Sequence, residues 1–215
     1  MTNVLIVEDD PMARKLVEIF VSSDSKYRLV RSLNNASKAM VCCEGESVEL
    51  VLMAVCASTN TGGLAAAAQI KKRLPHIKII MMTSQPDRSF IECAKQAGVD
   101  SFWYKKASAE EMLKIMDQTM AGQRVYPTKA PVVKLGDIYS DELTNRELEV
   151  LHQLVAGQTD AAIAEKLYMS LRTVKGHIQN LKSKTGFQNR TELAVRARER
   201  GIAINYADVE LDSIT

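Results

Sequence analysis

The sequence lacks the features of a membrane or secreted protein. No apolar run reaches the length of about 20 residues that a membrane-spanning helix needs. The start, Met1-Thr-Asn-Val, has no basic residues of the kind that open a signal peptide. The four cysteines form no CxxC pair, and Cys42 and Cys43 are adjacent. We therefore expect a cytoplasmic protein with reduced thiols and no membrane partner; a redox role for the thiols is the less favoured alternative.

A strong net charge is also absent. The 28 Lys and Arg residues nearly balance the 26 Asp and Glu residues, which leaves a formal charge of +2. Any affinity for DNA must therefore come from local clustering of positive charge. Such a cluster lies near the end of the chain, at Lys182, Lys184, Arg190, Arg196, Arg198 and Arg200.

Helical periodicity repeats four times between Leu143 and Gly201. A capping box, Thr144 with Glu147, opens the first helix, and Ser170 is the expected N-cap of the third. The second and third helices are joined by a tight turn, which predicts a helix-turn-helix. The four helices are expected at residues 145–156, 160–167, 170–184 and 190–200.

The third helix has two different faces. Val174, Ile178 and Leu181 form an apolar stripe at helical spacing, which predicts burial of that side. The other faces carry cations and amides. Cations suit DNA phosphates and amides suit base edges, so this helix is the candidate for insertion into a DNA groove.

These residues also resemble the LuxR/NarL/FixJ-type DNA-binding domain. The resemblance is carried by Leu143-Thr-x-Arg-Glu-x-Glu-Val-Leu151, Gly157, Ile163-Ala164-Glu165-x-Leu167, Ser170, Thr173-Val-Lys-x-His-Ile178, Leu181, Lys184, Gly186 and Asn189-Arg-x-Glu-Leu193. It implies base contacts from Lys175, Gly176 and Gln179 and backbone contacts from Thr173 and Lys184. Relatives often carry larger or charged side chains at the positions of Gly176 and Gln179, so the preferred DNA sequence stays open.

The first half of the chain alternates short apolar runs with helical patterns. This alternation predicts an open, doubly wound α/β sheet with its site at the carboxyl ends of the strands. In the first helix, opened by Pro11, we expect Leu16, Ile19 and Phe20 to face the sheet. The strands are expected at residues 4–7, 28–30, 50–53, 77–81 and 101–103, and the later helices at 35–43, 64–74, 89–97 and 109–120.

Polar residues follow several of these strands. Glu8 and Asp9 follow the first, Thr83 ends the fourth, and Lys105 follows the fifth. Carboxylates facing a lysine and a hydroxyl suit Mg²⁺ and a phosphoryl group. This arrangement resembles the receiver domain of two-component response regulators. The resemblance implies Glu8 and Asp9 as metal ligands, Thr83 and Phe102 as switch residues, and Lys105 as the family's lysine.

Position 54 departs from the receiver pattern. The family carries its phosphate-accepting aspartate after the residue that corresponds to Met53, and Ala54 stands there instead. A methyl group can neither attack a phosphodonor nor bind a metal, so this chain cannot be phosphorylated at position 54. The following loop, residues 56–63, also departs from the family pattern. Ala54 is either a natural loss or an engineered replacement. The retained acidic pair favours the engineered origin, because two carboxylates without a cation repel each other.

The expected architecture is an α/β receiver domain with a doubly wound, flavodoxin-like, five-stranded parallel sheet, followed by an all-α four-helix LuxR-type helix-turn-helix domain. The expected bounds are receiver 1–121, linker 122–140, DNA-binding domain 141–202 and tail 203–215. Sequence alone does not assign Val125-Tyr126 to either domain. Mg²⁺ is expected in a phosphorylatable parent, with weak or no binding when Ala54 is present.

The expected function is that of a response regulator and not of an enzyme. The resemblance implies a homodimer on an inverted-repeat operator in double-stranded DNA, a cognate sensor histidine kinase, and RNA polymerase as a further candidate partner. An atypical regulator controlled by a ligand or protein partner is the alternative. A protein whose helical domain serves only dimerisation is a rival that the basic helix disfavours. An enzyme acting on phosphate is disfavoured because Ala54 removes the nucleophile.

Overall fold

The computed structural model describes residues 1–55, 62–105 and 108–203, which form two compact units. The N-terminal unit holds Met1–Ser84 and Ser89–Lys129, and the C-terminal unit holds Gln85–Arg88 and residues 130–203. Among these residues no helix is both long and apolar enough to cross a membrane. The expectations for the loop 56–61 and for the acidic tail from residue 204 lie outside the described residues.

The N-terminal unit is a five-stranded parallel sheet in the order β2-β1-β3-β4-β5, with helices between the strands. The chain leaves β1 for β2 and returns past β1 to β3, so the winding direction reverses between β1 and β3. This confirms the doubly wound fold. The strands are β1 Thr2–Val7, β2 Tyr27–Leu33, β3 Leu50–Ala54, β4 Lys78–Thr83 and β5 Ser101–Tyr104; the helices are α1 Pro11–Ser22, α2 Ala39–Gly45, α3 Gly63–Arg73, α4 Ser89–Gln96 and α5 Ala109–Met120, with a 3₁₀ turn at Ala36–Lys38.

The inner face of α1 differs from the prediction. Val17 and Val21 are buried, whereas Leu16 is 47% exposed and Ile19 is 54% exposed. The prediction that Leu16 and Ile19 face the sheet is therefore wrong. Adjacent residues of a helix point about 100° apart. Assigning the buried stripe one residue too early therefore predicts an inner face that is rotated by that angle. Phe20 is partly buried against the core, as predicted.

The C-terminal unit is a helical module with a small hairpin. Its core includes Val174, Leu181 and Leu193, all at 0% exposure. His152 on α6 is also buried, and its Nε2 lies 2.6 Å from Oδ2 of Asp87 within the same unit. The elements are β6 Lys134–Leu135, β7 Ile138–Tyr139, a 3₁₀ turn at Ser140–Glu142, α6 Asn145–Val155, α7 Asp160–Lys166, α8 Leu171–Thr185 and α9 Arg190–Glu199.

The expected linker, residues 122–140, contains regular structure. Leu135 and Ile138 of the hairpin are buried in the helical core, so the hairpin belongs to the C-terminal unit. At the other end, the N–H of Phe102 donates to the carbonyl of Val125 over 2.8 Å. The Tyr126 hydroxyl donates to the carbonyl of Val99. Val125 and Tyr126 therefore pack on the N-terminal unit, which resolves the choice that sequence left open.

Candidate functional sites

The polar residues predicted at the strand ends do meet at one edge of the sheet. Glu8 follows β1, Ala54 and Thr83 end β3 and β4, and Lys105 follows β5. The ammonium group of Lys105 donates to Oε2 of Glu8 over 2.7 Å. The Lys105 backbone N–H donates to the Thr83 carbonyl over 2.8 Å, which fixes the lysine next to β4. The site is therefore spanned by an ion pair between residues 97 positions apart.

Glu8 is held firmly in this pair. Its side chain is 1% exposed, and its own backbone N–H donates to the Leu33 carbonyl over 2.9 Å. Burial raises the pKa of the Glu8 carboxyl above its usual range, although the hydrogen bond and charge of Lys105 act to lower it. A buried carboxylate needs such a partner, because an unpaired charge in this position would be costly.

The neighbouring carboxylates are placed differently. Asp10 caps α1: its Oδ1 accepts from the backbone N–H groups of Met12 and Ala13, each at 2.8 Å. The hydrogen bond from Ala13 lowers the pKa of Asp10. Asp9 is half-buried between Glu8 and Asp10. The acidic run therefore divides into a buried residue, a partly exposed residue and a helix cap.

The site does not fit a tightly bound Mg²⁺. No group of three or more metal-binding side chains occurs in the part of the chain that the structure describes. Ala54 is 2% exposed and offers no side-chain oxygen, while Glu8 is already bonded to Lys105. The backbone at Gly63 also packs tightly against the end of β3, because a Cβ at Gly63 would lie 1.8 Å from the Ala54 carbonyl oxygen. A Mg²⁺ ion here would therefore receive no carboxylate ligand from the end of β3.

The switch residues predicted from the receiver resemblance lie beside this site and on β5. Thr83 is 4% exposed at the end of β4, and Phe102 is 1% exposed. The Phe102 ring contacts the Tyr104 ring edge to face, with centroids 5.2 Å apart. The Phe102 N–H bonds to Val125, so the candidate switch strand is joined directly to the segment that leaves the unit.

The three cysteines that the structure describes, Cys42, Cys43 and Cys93, are buried. Cys42 and Cys43 are free thiols. Burial raises the pKa of Cys43 to about 12, which suppresses the reactive thiolate.

In the C-terminal unit, α7 and α8 form the predicted helix-turn-helix. The Ser170 side chain accepts from the Thr173 N–H over 3.0 Å and so caps α8, as predicted. Val174 and Leu181 are fully buried, and Ile178 is 9% exposed. Four of the five residues predicted to contact DNA lie on the exposed side of α8, namely Thr173, Lys175, Gly176 and Gln179. Apart from its chain neighbours and the backbone of α8 itself, no described atom lies within 4 Å of the place where a Cβ of Gly176 would stand.

Lys184, the fifth residue, has an internal partner. Its ammonium group lies 2.9 Å from both carboxylate oxygens of Glu147. The Lys184 side chain is 38% exposed, so it is partly accessible while it ties α8 to α6. The capping box predicts the contact between Glu147 and Thr144 but not this bond. No local pattern could reveal it, because the two residues are 37 positions apart.

Part of the basic cluster predicted near the chain end forms ion pairs within the C-terminal unit. Arg190 donates to Oδ1 of Asp160 and to the Gln158 carbonyl, both at 2.7 Å, which ties α9 to the start of α7. Arg196 pairs with Glu199 over 3.0 Å on the surface of α9. Together with Lys184, three of the six cations of this cluster therefore have carboxylate partners within the C-terminal unit.

Comparison with known proteins agrees with both halves. Residues 4–117 match the family described as "Response regulator receiver domain", and residues 141–197 match "Bacterial regulatory proteins, luxR family". The response regulator protein VraR of Staphylococcus aureus is 30% identical over 205 residues, covering 93% of this chain and 97% of VraR.

Solved structures agree in fold. A structure of two RcsB dimers bound to two parallel DNAs has a TM-score of 0.63 at 17% identity, covering 92% of this chain and 98% of that chain. A structure of the Salmonella typhimurium RcsB response regulator has a TM-score of 0.56 at 17% identity, covering 93% of this chain and all (100%) of that one.

The fold and both matches define a class of bacterial transcription regulators. This chain belongs to the response regulators of two-component systems that join a receiver domain to a LuxR-type helix-turn-helix domain.

Proposed function

We propose that this protein regulates transcription by placing α8 in the major groove of double-stranded DNA. The observation that carries the proposal is the exposed polar side of α8, opposite a buried apolar stripe. Lys175, Gly176 and Gln179 read base edges, and Thr173 contacts the DNA backbone. Lys184 can contact the DNA backbone only if its ammonium group leaves Glu147 or binds Glu147 and a phosphate together.

The wider assignment follows from the family. The protein acts in the cytoplasm as a homodimer on an inverted-repeat operator, since a two-fold symmetric dimer fits a symmetric site. A sensor histidine kinase is the family's upstream partner, and RNA polymerase is the candidate downstream partner. For the domains we propose receiver 1–121, linker 122–140 with the hairpin extending the C-terminal unit, DNA-binding domain 141–202 and tail 203–215.

The receiver of this chain works without phosphorylation at position 54. Ala54 supplies no nucleophile, and the cation that would face a phosphoryl group is bonded to Glu8. In a chain with an aspartate at this position, Thr83, Phe102 and Lys105 would form the phosphate-responsive switch, with Glu8 and Asp9 as Mg²⁺ ligands. The Glu8–Lys105 pair favours a second candidate, in which a ligand or a protein partner controls the receiver.

Binding to DNA from the gene's own upstream region, compared with random DNA, tests the first proposal. We expect Lys175→Ala to weaken specific binding more than random binding, because a base contact is lost. Lys184→Ala should mainly lower the salt dependence, by at most about one unit of slope. Lys114→Ala, which changes an exposed lysine of α5, is the matched control. Equal losses on both DNAs for Lys175→Ala would contradict its role in base reading.

A second experiment tests the receiver. The original chain and Ala54→Asp are each measured for DNA affinity with and without acetyl phosphate and Mg²⁺. If only Ala54→Asp responds, the surrounding site is a phosphorylation switch that lacks its acceptor. If neither responds, control by a ligand or partner is the better description.

A further inference from the structure

We propose that Tyr168, in the turn between α7 and α8, donates a hydrogen bond from its hydroxyl to a phosphate oxygen at the edge of the DNA groove that α8 enters. The proposal rests on the proposed function, because it requires α8 to lie in DNA. It adds a neutral residue outside α8 to the backbone contacts of Thr173 and Lys184.

The backbone of Tyr168 has an uncommon conformation. Its φ is +53°, and among the residues that the structure describes it is the one non-glycine residue with a positive φ. This left-handed conformation is strained for a bulky residue, because the Cβ approaches the following carbonyl oxygen. Strain of this kind persists where the surrounding structure holds it, and it marks a candidate functional residue.

The turn that ends α7 normally contains glycine. The Tyr168 N–H donates to the Glu165 carbonyl over 3.2 Å. The next N–H, of Met169, donates to the Ala164 carbonyl over 2.8 Å. This pair of bonds closes a helix around a left-handed residue, which is usually glycine. The same pair of bonds ends α4, α5, α6 and α9, where the left-handed residues are Gly98, Gly122, Gly157 and Gly201. Tyrosine therefore stands where this chain otherwise uses glycine.

Packing does not explain the choice of tyrosine. The Tyr168 side chain is 96% exposed and makes no hydrogen bond or ring contact with any residue that the structure describes. Its neighbours Leu167 and Met169 are partly buried against the core of the C-terminal unit. Arg146 of α6 donates to the Leu167 carbonyl over 2.9 Å. The turn is therefore held on its inner side, while the phenol ring projects into solvent.

The place of the turn selects a phosphate as the partner. In a helix-turn-helix bound to DNA, the first helix crosses the sugar-phosphate backbone and the second enters the major groove with its N-terminal residues. The turn between them therefore passes the edge of the groove, where the phosphates lie. Tyr168 is two residues before Ser170, the N-cap of α8, so their Cα atoms are at most about 7.6 Å apart. A tyrosine hydroxyl is among the side-chain groups that bind DNA phosphates.

The charge around the turn suits the same partner. From the last residue of α7 to residue 175 the chain has three exposed cations, Lys166, Arg172 and Lys175, and no acidic residue. Cations attract the DNA backbone, and a hydroxyl in a fixed turn adds a directional bond that positions α8 in the groove. An exposed tyrosine also suits a protein partner, but the adjoining cations and the helix that enters the groove favour DNA.

The test compares the wild-type chain, Tyr168→Phe and Lys175→Ala on two DNA duplexes, one from the gene's own upstream region and one of random sequence. Tyr168→Phe keeps the ring and removes the hydroxyl, so we expect both affinities to fall by a similar factor of about threefold to tenfold. The slope of log affinity against log salt should not change, because a neutral hydroxyl releases no counterion. Tyr139→Phe, the same change at an exposed tyrosine of β7, is the matched control.

Tyr168→Gly separates DNA binding from folding. This variant gives the turn after α7 the residue that the four other turns have. The urea midpoint of the C-terminal unit, followed by far-UV circular dichroism, should therefore not fall below that of the wild-type chain. The DNA affinity of Tyr168→Gly should fall at least as far as that of Tyr168→Phe. Such a loss in a stable protein does not come from unfolding.

The outcomes distinguish this contact from the proposed function. Unchanged affinity in Tyr168→Phe, with Lys175→Ala still weakened, would overturn the contact and leave α8 in DNA. A loss in Tyr168→Gly without one in Tyr168→Phe would also overturn it, because the ring and not the hydroxyl would then bind. Unchanged DNA binding with reduced transcription by purified RNA polymerase would assign Tyr168 to a protein contact instead. A wild-type chain that binds neither duplex would refute the proposed function, and this contact with it.

Discussion

Replacing Glu147 with glutamine tests how α8 is anchored to α6. The Glu147 carboxylate is 4% exposed and accepts from the Thr144 N–H, the Thr144 hydroxyl and the Lys184 ammonium, each at 2.9 Å. One side chain therefore closes the capping box of α6 and ties α6 to the last turn of α8. Glutamine keeps the size of the side chain and removes its charge, so only the charge-dependent part of this anchor is lost.

The expected loss can be bounded from the three bonds. A hydrogen bond to a charged group is worth about 1.5–3 kcal/mol, and a helix cap is worth about 1 kcal/mol. Glutamine retains one acceptor oxygen, and the partly exposed Lys184 is screened by solvent. We therefore expect Glu147→Gln to lower the free energy of unfolding of the C-terminal unit by about 1–3 kcal/mol.

Urea denaturation followed by two probes can assign this loss to one unit. Trp103 is the only tryptophan and lies in the N-terminal unit, so its fluorescence follows that unit. Far-UV circular dichroism follows the helices of both units. Glu147→Gln should move the dichroism transition to lower urea and leave the Trp103 transition in place. Lys184→Met should cost less alone, and the double variant should cost less than the sum.

The pH dependence gives an independent check. Burial acts to raise the pKa of Glu147, but the hydrogen bonds from Thr144 and Lys184 outweigh it and hold this pKa below its usual range. A carboxyl with a lower pKa in the folded state stabilises the fold above the pKa of the unfolded chain. That contribution is lost as the pH falls through the folded-state pKa. Wild-type should lose stability on acidification faster than Glu147→Gln. Parallel losses in the two proteins would refute the anchoring argument.

Three further changes have expected outcomes. Gly136→Ala should destabilise the C-terminal unit by at least about 2 kcal/mol in the dichroism transition, because φ is +62° and the new Cβ would lie 1.9 Å from a carbonyl oxygen. Asp100→Asn should cost about 3 kcal/mol in the Trp103 transition, because the Asp100 carboxylate is 5% exposed and bonded to Lys71 at 2.8 Å. Lys105→Met should raise the pKa of Glu8 further, because the charge that lowers it is removed. The free energy of unfolding of this variant should therefore be larger in mild acid than at neutral pH. A free energy of unfolding that rises with pH would contradict this.

The fold was predictable because its central strands are apolar on both faces. Residues 50–53 form a continuous apolar run, and only a strand covered on both sides buries every residue in this way. The face of α1 was not predictable from spacing. Apolar residues occur at Leu16, Val17, Ile19 and Val21, so several stripes are available and only packing against the sheet selects one.

In the candidate sites, the positions of several residues were predictable, but their contacts were not. Strand ends placed Glu8, Thr83 and Lys105 at one edge of the sheet, because parallel strands bring their carboxyl ends together. The partners of Lys105 and Lys184 could not be predicted, since each bond joins residues far apart in the chain. A lysine side chain is long enough to pair with any carboxylate that the fold brings near it. The sequence shows only that both charged residues are present.

The Glu8–Lys105 bond changes the argument about Ala54. Retention of two adjacent acidic residues favoured an engineered loss, because carboxylates without a metal repel each other. In the structure the Lys105 ammonium lies 2.7 Å from Glu8, so a protein cation takes part of the role that a metal would have. The acidic pair is therefore tolerable without phosphorylation chemistry, and its survival no longer requires a working acceptor. The Glu8–Lys105 pair therefore supports the proposal that a ligand or a partner controls the receiver, and the response of Ala54→Asp to acetyl phosphate tests it.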